Sequence, residues 1–150
     1  MGNGTLFADE LESMMSGWTF LSVDARGKSE GLLLGWRSRF FHLLNAWGVG
    51  SCLCASLFSI ELNLDICFAN IYGPYNDIVV FWNNLMELEC LKCEKLILGG
   101  DLNFSMGLSE IWGTRARLDS LSNFFIKSLE TFGLWILYLL LCFPHGLIEE

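Results

Sequence analysis

An α/β layered sandwich is the fold class predicted by this sequence, and three observations predict it. Five apolar runs of strand length crowd together between residues 18 and 72. A helical segment, one more short apolar run and a second helical segment follow, an order that suits layered sheets and helices better than a helical bundle. The chain is also 53% hydrophobic, with 12 Phe and 6 Trp in 150 residues, and mean hydropathy is +0.44. A chain of that length and composition can bury a core and is not expected to be disordered.

Each element has its own warrant. Leu6, Leu11, Met14 and Met15 form the apolar set of a short amphipathic helix over 6–15. Trp18 to Asp24 alternates with period two and reads as a strand. Ala25 to Glu30, with Gly27, Lys28 and Ser29, reads as a turn. Gly31 to Trp36 is a second strand and Phe40 to Trp47 a third. Ser51 to Leu62 and Asp65 to Tyr72 are long apolar runs joined at Asn63-Leu64, so an antiparallel hairpin covered on both faces is expected. Gly73-Pro74 ends that run. Val80, Phe81, Leu85, Leu88 and Leu91 then give helical spacing over 77–91, with Asp77 as candidate N-cap. Lys95 to Gly100 reads as a short buried strand, 101–117 as a loop and 118–132 as a helix.

Charge and cysteine content narrow the function classes. The net charge is −8, which argues against tight nonspecific phosphate binding, because that rests on Lys and Arg. A bound metal ion can still supply a local positive field. Asp9, Glu10 and Glu12 stand where a secretory leader would be basic and then apolar, so an intracellular, non-secreted chain in nucleus or cytoplasm is expected. Its six cysteines are then expected to be reduced. Cys90-x-x-Cys93, with no second pair beside it, is expected to pack on a helix face. Met1-Gly2-Asn3-Gly4-Thr5 misplaces its Thr for myristoylation, and Asn3-Gly4-Thr5 and Asn103-Phe104-Ser105 carry no meaning as glycan acceptors without a secretory route.

The sharpest motif is Gly99-Gly100-Asp101-Leu102-Asn103-Phe104. Glycines let the backbone approach a ligand closely. Side chains two apart on an extended segment share a face, so Asp101 and Asn103 would enter one cleft. One could hold a proton or metal while the other orients a phosphate oxygen. The competing reading is a turn in which both satisfy local backbone groups. Asn70-Ile71-Tyr72-Gly73-Pro74 presents a second polar strand end.

Taken together with Asp24-Ala25-Arg26-Gly27-Lys28-Ser29-Glu30-Gly31-Leu32-Leu33-Leu34-Gly35-Trp36, Ser109-Glu110-Ile111-Trp112-Gly113 and Ala116-Arg117-Leu118-Asp119, these motifs resemble the endonuclease/exonuclease/phosphatase (DNase I-like) domain of plant LINE-type retrotransposons, over roughly residues 17–134. The resemblance implies a partial four-layered sandwich, two mixed sheets flanked by helices, incomplete at both ends. It implies Mg²⁺-dependent phosphodiester hydrolysis with DNA as partner and no small-molecule cofactor. In that family Asp101 and Asn103 would work around the scissile phosphate, Tyr72 would hydrogen-bond it, and Asn70 would help bind substrate.

The family pattern is also broken. Its metal-binding Glu-Thr-Lys and its C-terminal Ser-Asp-His have no counterpart in the 150 residues, and no metal ligand is assigned. Glu10 and Glu12 match no motif, and neither His42 nor His145 follows an Asp. Glu30-Gly31 stands where the family turn has Gly-Gly. The expected organisation is a helix remnant over 1–16, the partial domain over 17–134 and an apolar tail over 135–150. Trp135 followed by Ile136 and the run Pro144 to Glu150 can be re-read in a shifted frame as the family's Asp and Thr-Trp-Ser-Asn, which suggests a frameshifted end. The competing reading of the apolar stretch 132–148 is a membrane segment, although a span needs about 20 apolar residues. The expected function is therefore an inactive fragment of a retroelement endonuclease, DNA binding being weak at this charge. The alternative is a non-catalytic interaction or membrane-associated small protein built on the same fold.

Overall fold

The computed structural model describes residues 4–24, 31–49, 51–107 and 119–131. The chain divides into two compact units, 1–104 and 105–150. The expected turn at 25–30 and the apolar tail lie outside the described residues.

The first unit holds α1 (Gly4–Met14), β1 (Trp18–Val23), β2 (Leu32–Arg37), β3 (Phe41–Val49), β4 (Cys52–Ser59), β5 (Leu64–Tyr72), α2 (Ile78–Met86), a 3-10 turn (Glu89–Leu91) and β6 (Leu96–Asp101). β1 and β2 form an antiparallel pair, Leu21 opposite Leu34. The larger sheet runs β3-β4-β5-β6 and is mixed: β3, β4 and β5 are antiparallel neighbours, and β6 adds parallel to β5. Of the two sheets, then, the four-stranded one is mixed, and the smaller is an antiparallel pair among the described residues.

The sheets meet over a core of Trp36, Ala55 and Leu57, with Leu21, Leu34, Phe41 and Phe68 packed against it. β4 is central and its run Cys52 to Ala55 is buried throughout, as the continuous apolar sequence requires. The β4–β5 connection is longer than Asn63-Leu64. Strand pairing stops at Ser59, whose hydroxyl accepts the Leu62 N–H at 3.3 Å, and Asn63 takes the left-handed conformation (φ 52) that its side chain tolerates.

Among the described residues strand β1 has β2 on one side only, and the Phe20 N–H donates to the Glu12 carboxylate of α1 at 2.8 Å. That contact occupies an edge donor that another chain could otherwise pair with. Glu12→Ala should cost about 1 kcal/mol, the net worth of an exposed charge-assisted hydrogen bond, read as a small drop in the urea midpoint with unchanged slope.

Asp77 takes the expected N-cap position of α2, its carbonyl accepting the Phe81 N–H at 2.9 Å, but it is left-handed (φ 53) and its side chain makes no cap bond. Two expectations change here. The helix ends at Met86 and buries Trp82, Leu85 and Met86, whereas Val80 is 59% exposed. Among the described residues β6 is an edge strand and not a buried one, with Ile97 53% exposed, because it has a described neighbour on one side only.

The cysteine expectation changes too. Cys93 does not sit on a helix face. It lies beyond the 3-10 turn and is joined to Cys67 of β5 as a disulfide, Cα–Cα 6.3 Å, while Cys52 and Cys54 are buried and outside that disulfide. In the second unit α3 (Ser122–Thr131) is opened by Asp119, whose Oδ1 accepts the Leu121 N–H at 2.8 Å, and it buries Ser122 and Phe125. No helix among the described residues is long and apolar enough to cross a membrane.

Candidate functional site

The two polar motifs meet at the C-terminal ends of β5 and β6. In the parallel ladder Asn70 lies opposite Gly99, and Tyr72 opposite Asp101. Residues opposite one another, and residues two apart along a strand, project from the same face. Asn70, Tyr72 and Asp101 therefore share one face of the four-stranded sheet. It is the face turned toward the smaller sheet, since Asn70 Nδ2 donates to the Leu33 carbonyl of β2 at 2.8 Å. Tyr72 and Asn70 are half-buried and Asp101 is exposed.

Glycine makes this approach possible at two points. Gly100 has φ +118, and a Cβ there would meet the Asn70 Oδ1 at 2.6 Å and the Ile71 N at 2.8 Å. A Cβ on Gly73 would lie 2.7 Å from the Leu102 carbonyl carbon. The ladder continues past its last pair, with the Gly73 N–H donating to the Asp101 carbonyl at 2.7 Å.

Asn103 departs from the sequence expectation. It is left-handed (φ 52), so the extended alternation that would pair it with Asp101 stops before it. Its N–H donates to Asp101 Oδ1 at 3.2 Å, and its Nδ2 donates to the Gly73 carbonyl. The local-turn reading thus describes Asn103: it ties the exit of β6 to the exit of β5. Asp101 and Asn103 remain adjacent, but the Asn103 amide holds the loop. The Leu33 carbonyl, which fixes Asn70, had no signal in the sequence, because a backbone acceptor on another sheet depends on tertiary register alone.

Chemically the site offers a phenol, an exposed carboxylate and two amides whose NH₂ groups already serve backbone carbonyls. β5 and β6 bring one carboxylate, Asp101, to these ends. Among the described residues no three His, Cys, Asp or Glu side chains converge as metal ligands. A hard cation such as Mg²⁺ is held by carboxylates whose charge and geometry complete an octahedron with water and phosphate. Asp101 by itself does not make such a site, so the described residues do not fit the ion.

Comparison with solved structures places the chain in a known fold. It is similar to the endonuclease domain of TRAS1, a telomere-specific non-LTR retrotransposon, with TM-score 0.60 and 17% identity, over 83% of this chain and 56% of that one. It is also similar to the human Nocturnin catalytic domain with bound sulfate anion, at TM-score 0.45 and 16% identity, over 66% of this chain and 46% of that one. The chain spans little more than half of the first structure. No family model matches the sequence, and no curated protein matches it. The likeness to the TRAS1 domain shows the fold alone, a two-sheet α/β sandwich.

Proposed function

We propose that this chain is an endonuclease-fold piece of LINE-type retroelement descent, from the plant branch its motifs resemble, that retains a phosphodiester-facing strand end and does not cleave as it stands. The observation that carries the reading is the register that sets Tyr72 directly opposite Asp101, with Asn70 on the same face. Two separate motifs converge there, 29 positions apart in sequence by their numbers, as a nuclease-type site needs.

In this reading Tyr72 donates its hydroxyl to a phosphate oxygen, Asn70 supports it from the sheet interface, and Asn103 keeps the two strand ends together. Asp101 keeps the place of a catalytic carboxylate. Intact relatives would use Mg²⁺ to neutralise charge on the phosphate. Without the metal carboxylate and the Asp–His pair, Asp101 adds a negative charge beside an anionic substrate. Removing several members of one catalytic unit forfeits most of its effect, so hydrolysis is lost while weak docking persists.

Supercoiled plasmid incubated with the protein and Mg²⁺ should show no nicking above a protein-free control. A short DNA duplex should be retained weakly at low salt and released by about 200 mM, as phosphate contacts weaken. Tyr72→Phe should weaken that retention about ten-fold or more, the worth of one hydrogen bond to a charged group. Mg²⁺-dependent nicking would overturn the inactivity. Retention indifferent to Tyr72→Phe would overturn the site.

A further inference from the structure

The disulfide lies at the opposite end of the same ladder. Cys67 begins the β5–β6 pairing, opposite Leu96, and its N–H donates to the Lys95 carbonyl at 2.8 Å. Cys93, two residues before Lys95, is bonded to the Cys67 sulfur. One residue of β5 thus grips the entry to β6 twice, through backbone and through sulfur. At the far end Asn103 and the Gly73 N–H grip the exit. Between these two fixings β6 is a six-residue strand that, among the described residues, is paired on one side only.

The sulfurs can be reached. Cys67 and Cys93 are both half-buried and line a cavity of about 180 Å³, with Cys54 in the same wall and Asn45, Trp47 and Ser56 around it. Cys54 Sγ lies 3.5 Å from Cys52 Sγ.

We propose that Cys67–Cys93 is a thiol-exchange site at which a small cellular thiol opens and closes a clamp on β6, so that redox state sets how firmly the Tyr72–Asp101 strand end is held. The chemistry balances with a monothiol as reductant. One thiolate attacks a sulfur of the disulfide and forms a mixed disulfide, and the displaced cysteine leaves as thiolate and takes a proton. A second thiolate attacks the small-molecule sulfur of the mixed disulfide, giving two protein thiols and one oxidised small disulfide. That disulfide drives the reverse course. Reduction removes the sulfur tether but leaves the backbone bond, so β6 opens locally more often while β3 and β4, held on their own ladders, do not.

The full chain tests this with reduced glutathione and glutathione disulfide as probes. Peptide mapping without reductant should find Cys67 linked to Cys93 after glutathione disulfide, and both free after glutathione. Amide exchange over 96–101 should rise about ten-fold or more on reduction and return on re-oxidation, with β3 and β4 unchanged, as expected for opening confined to one cooperative segment. Cys93→Ser should exchange like the reduced protein under both conditions. Free Cys67 under oxidising conditions, a Cys54 linkage in its place, equal exchange over 96–101 in both states, or a uniform rise through β3 and β4 would each overturn the clamp. These readouts do not depend on the phosphodiester reading, and nicking or DNA retention does not enter them.

Discussion

Gly100→Ala should unfold the β5–β6 strand end at a cost of about 3 kcal/mol or more, while Gly99→Ala, one residue earlier, should change stability by less than about 1 kcal/mol. The contrast follows from local geometry. Gly100 has φ +118, a region that a residue with a Cβ occupies only with strain worth about 1–3 kcal/mol. The added methyl would also press into Ile71's backbone and into Asn70 Oδ1, 2.6 Å away, and the backbone cannot step aside as a flexible side chain would. Overpacking of that kind adds about 1–3 kcal/mol. At Gly99 the new Cβ meets nothing within 4 Å, and stiffening the unfolded chain offsets any small cost. Thermal melts should separate the two variants by about 10 °C, at roughly 2–4 °C per kcal/mol for a chain of this size. Because Ile71 and Asn70 lie beside the methyl, Gly100→Ala should also abolish DNA retention, whereas Gly99→Ala should preserve it. Equal melting temperatures for the two variants would show that β6 is not seated as described.

The same two glycines show what was legible in the sequence. A short apolar run ending in Gly-Gly-Asp identified a strand end with an acid on it, and the Asn70–Tyr72 motif identified another. Neither motif could say that the ends lie side by side, because pairing register is set by the whole β4–β5–β6 sheet and a one-residue slip would turn Tyr72 to the other face. Period-two alternation found β1, and continuous apolar runs found β4 and β5. Burial failed at β6, where Leu96 to Leu98 looks like interior sequence but occupies an edge. On α2, Trp82, Leu85 and Met86 turn inward while Val80 is exposed, because an apolar run as short as Ile78–Met86 offers more than one helical stripe and tertiary packing selects among them. The Cys67–Cys93 pairing spans 26 positions, and sequence spacing does not fix connectivity over that distance. Extended backbone would set Asn103 on the same face as Asp101, and its positive φ breaks that alternation.

Ile71→Ala should destabilise the protein by about 2–5 kcal/mol and leave the strand-end chemistry intact in molecules that remain folded. Ile71 is 0% exposed, the most enclosed side chain of β5, paired with Cys52 on one side and Gly100 on the other. Truncating a buried Ile forfeits transfer free energy and leaves a cavity that close packing refills only in part. Its direction separates its role from that of its neighbours. Alternation along β5 places Ile71 on the face opposite Asn70 and Tyr72, so the loss reaches the site only through stability. Urea denaturation should show a large fall in midpoint, and DNA retention at 10 °C, scaled to the folded fraction, should equal that of the parent chain. Tyr72→Phe should give the reverse pattern, with little change in midpoint and weaker retention. Ile97→Ala supplies the control for area alone: Ile97 sits on the neighbouring strand but is 53% exposed, and its truncation should cost less than about 1 kcal/mol. If Ile71→Ala and Ile97→Ala cost the same, the outer face of the four-stranded sheet is not packed as described. If Ile71→Ala weakens retention per folded molecule, the two faces of β5 are coupled more tightly than alternation allows.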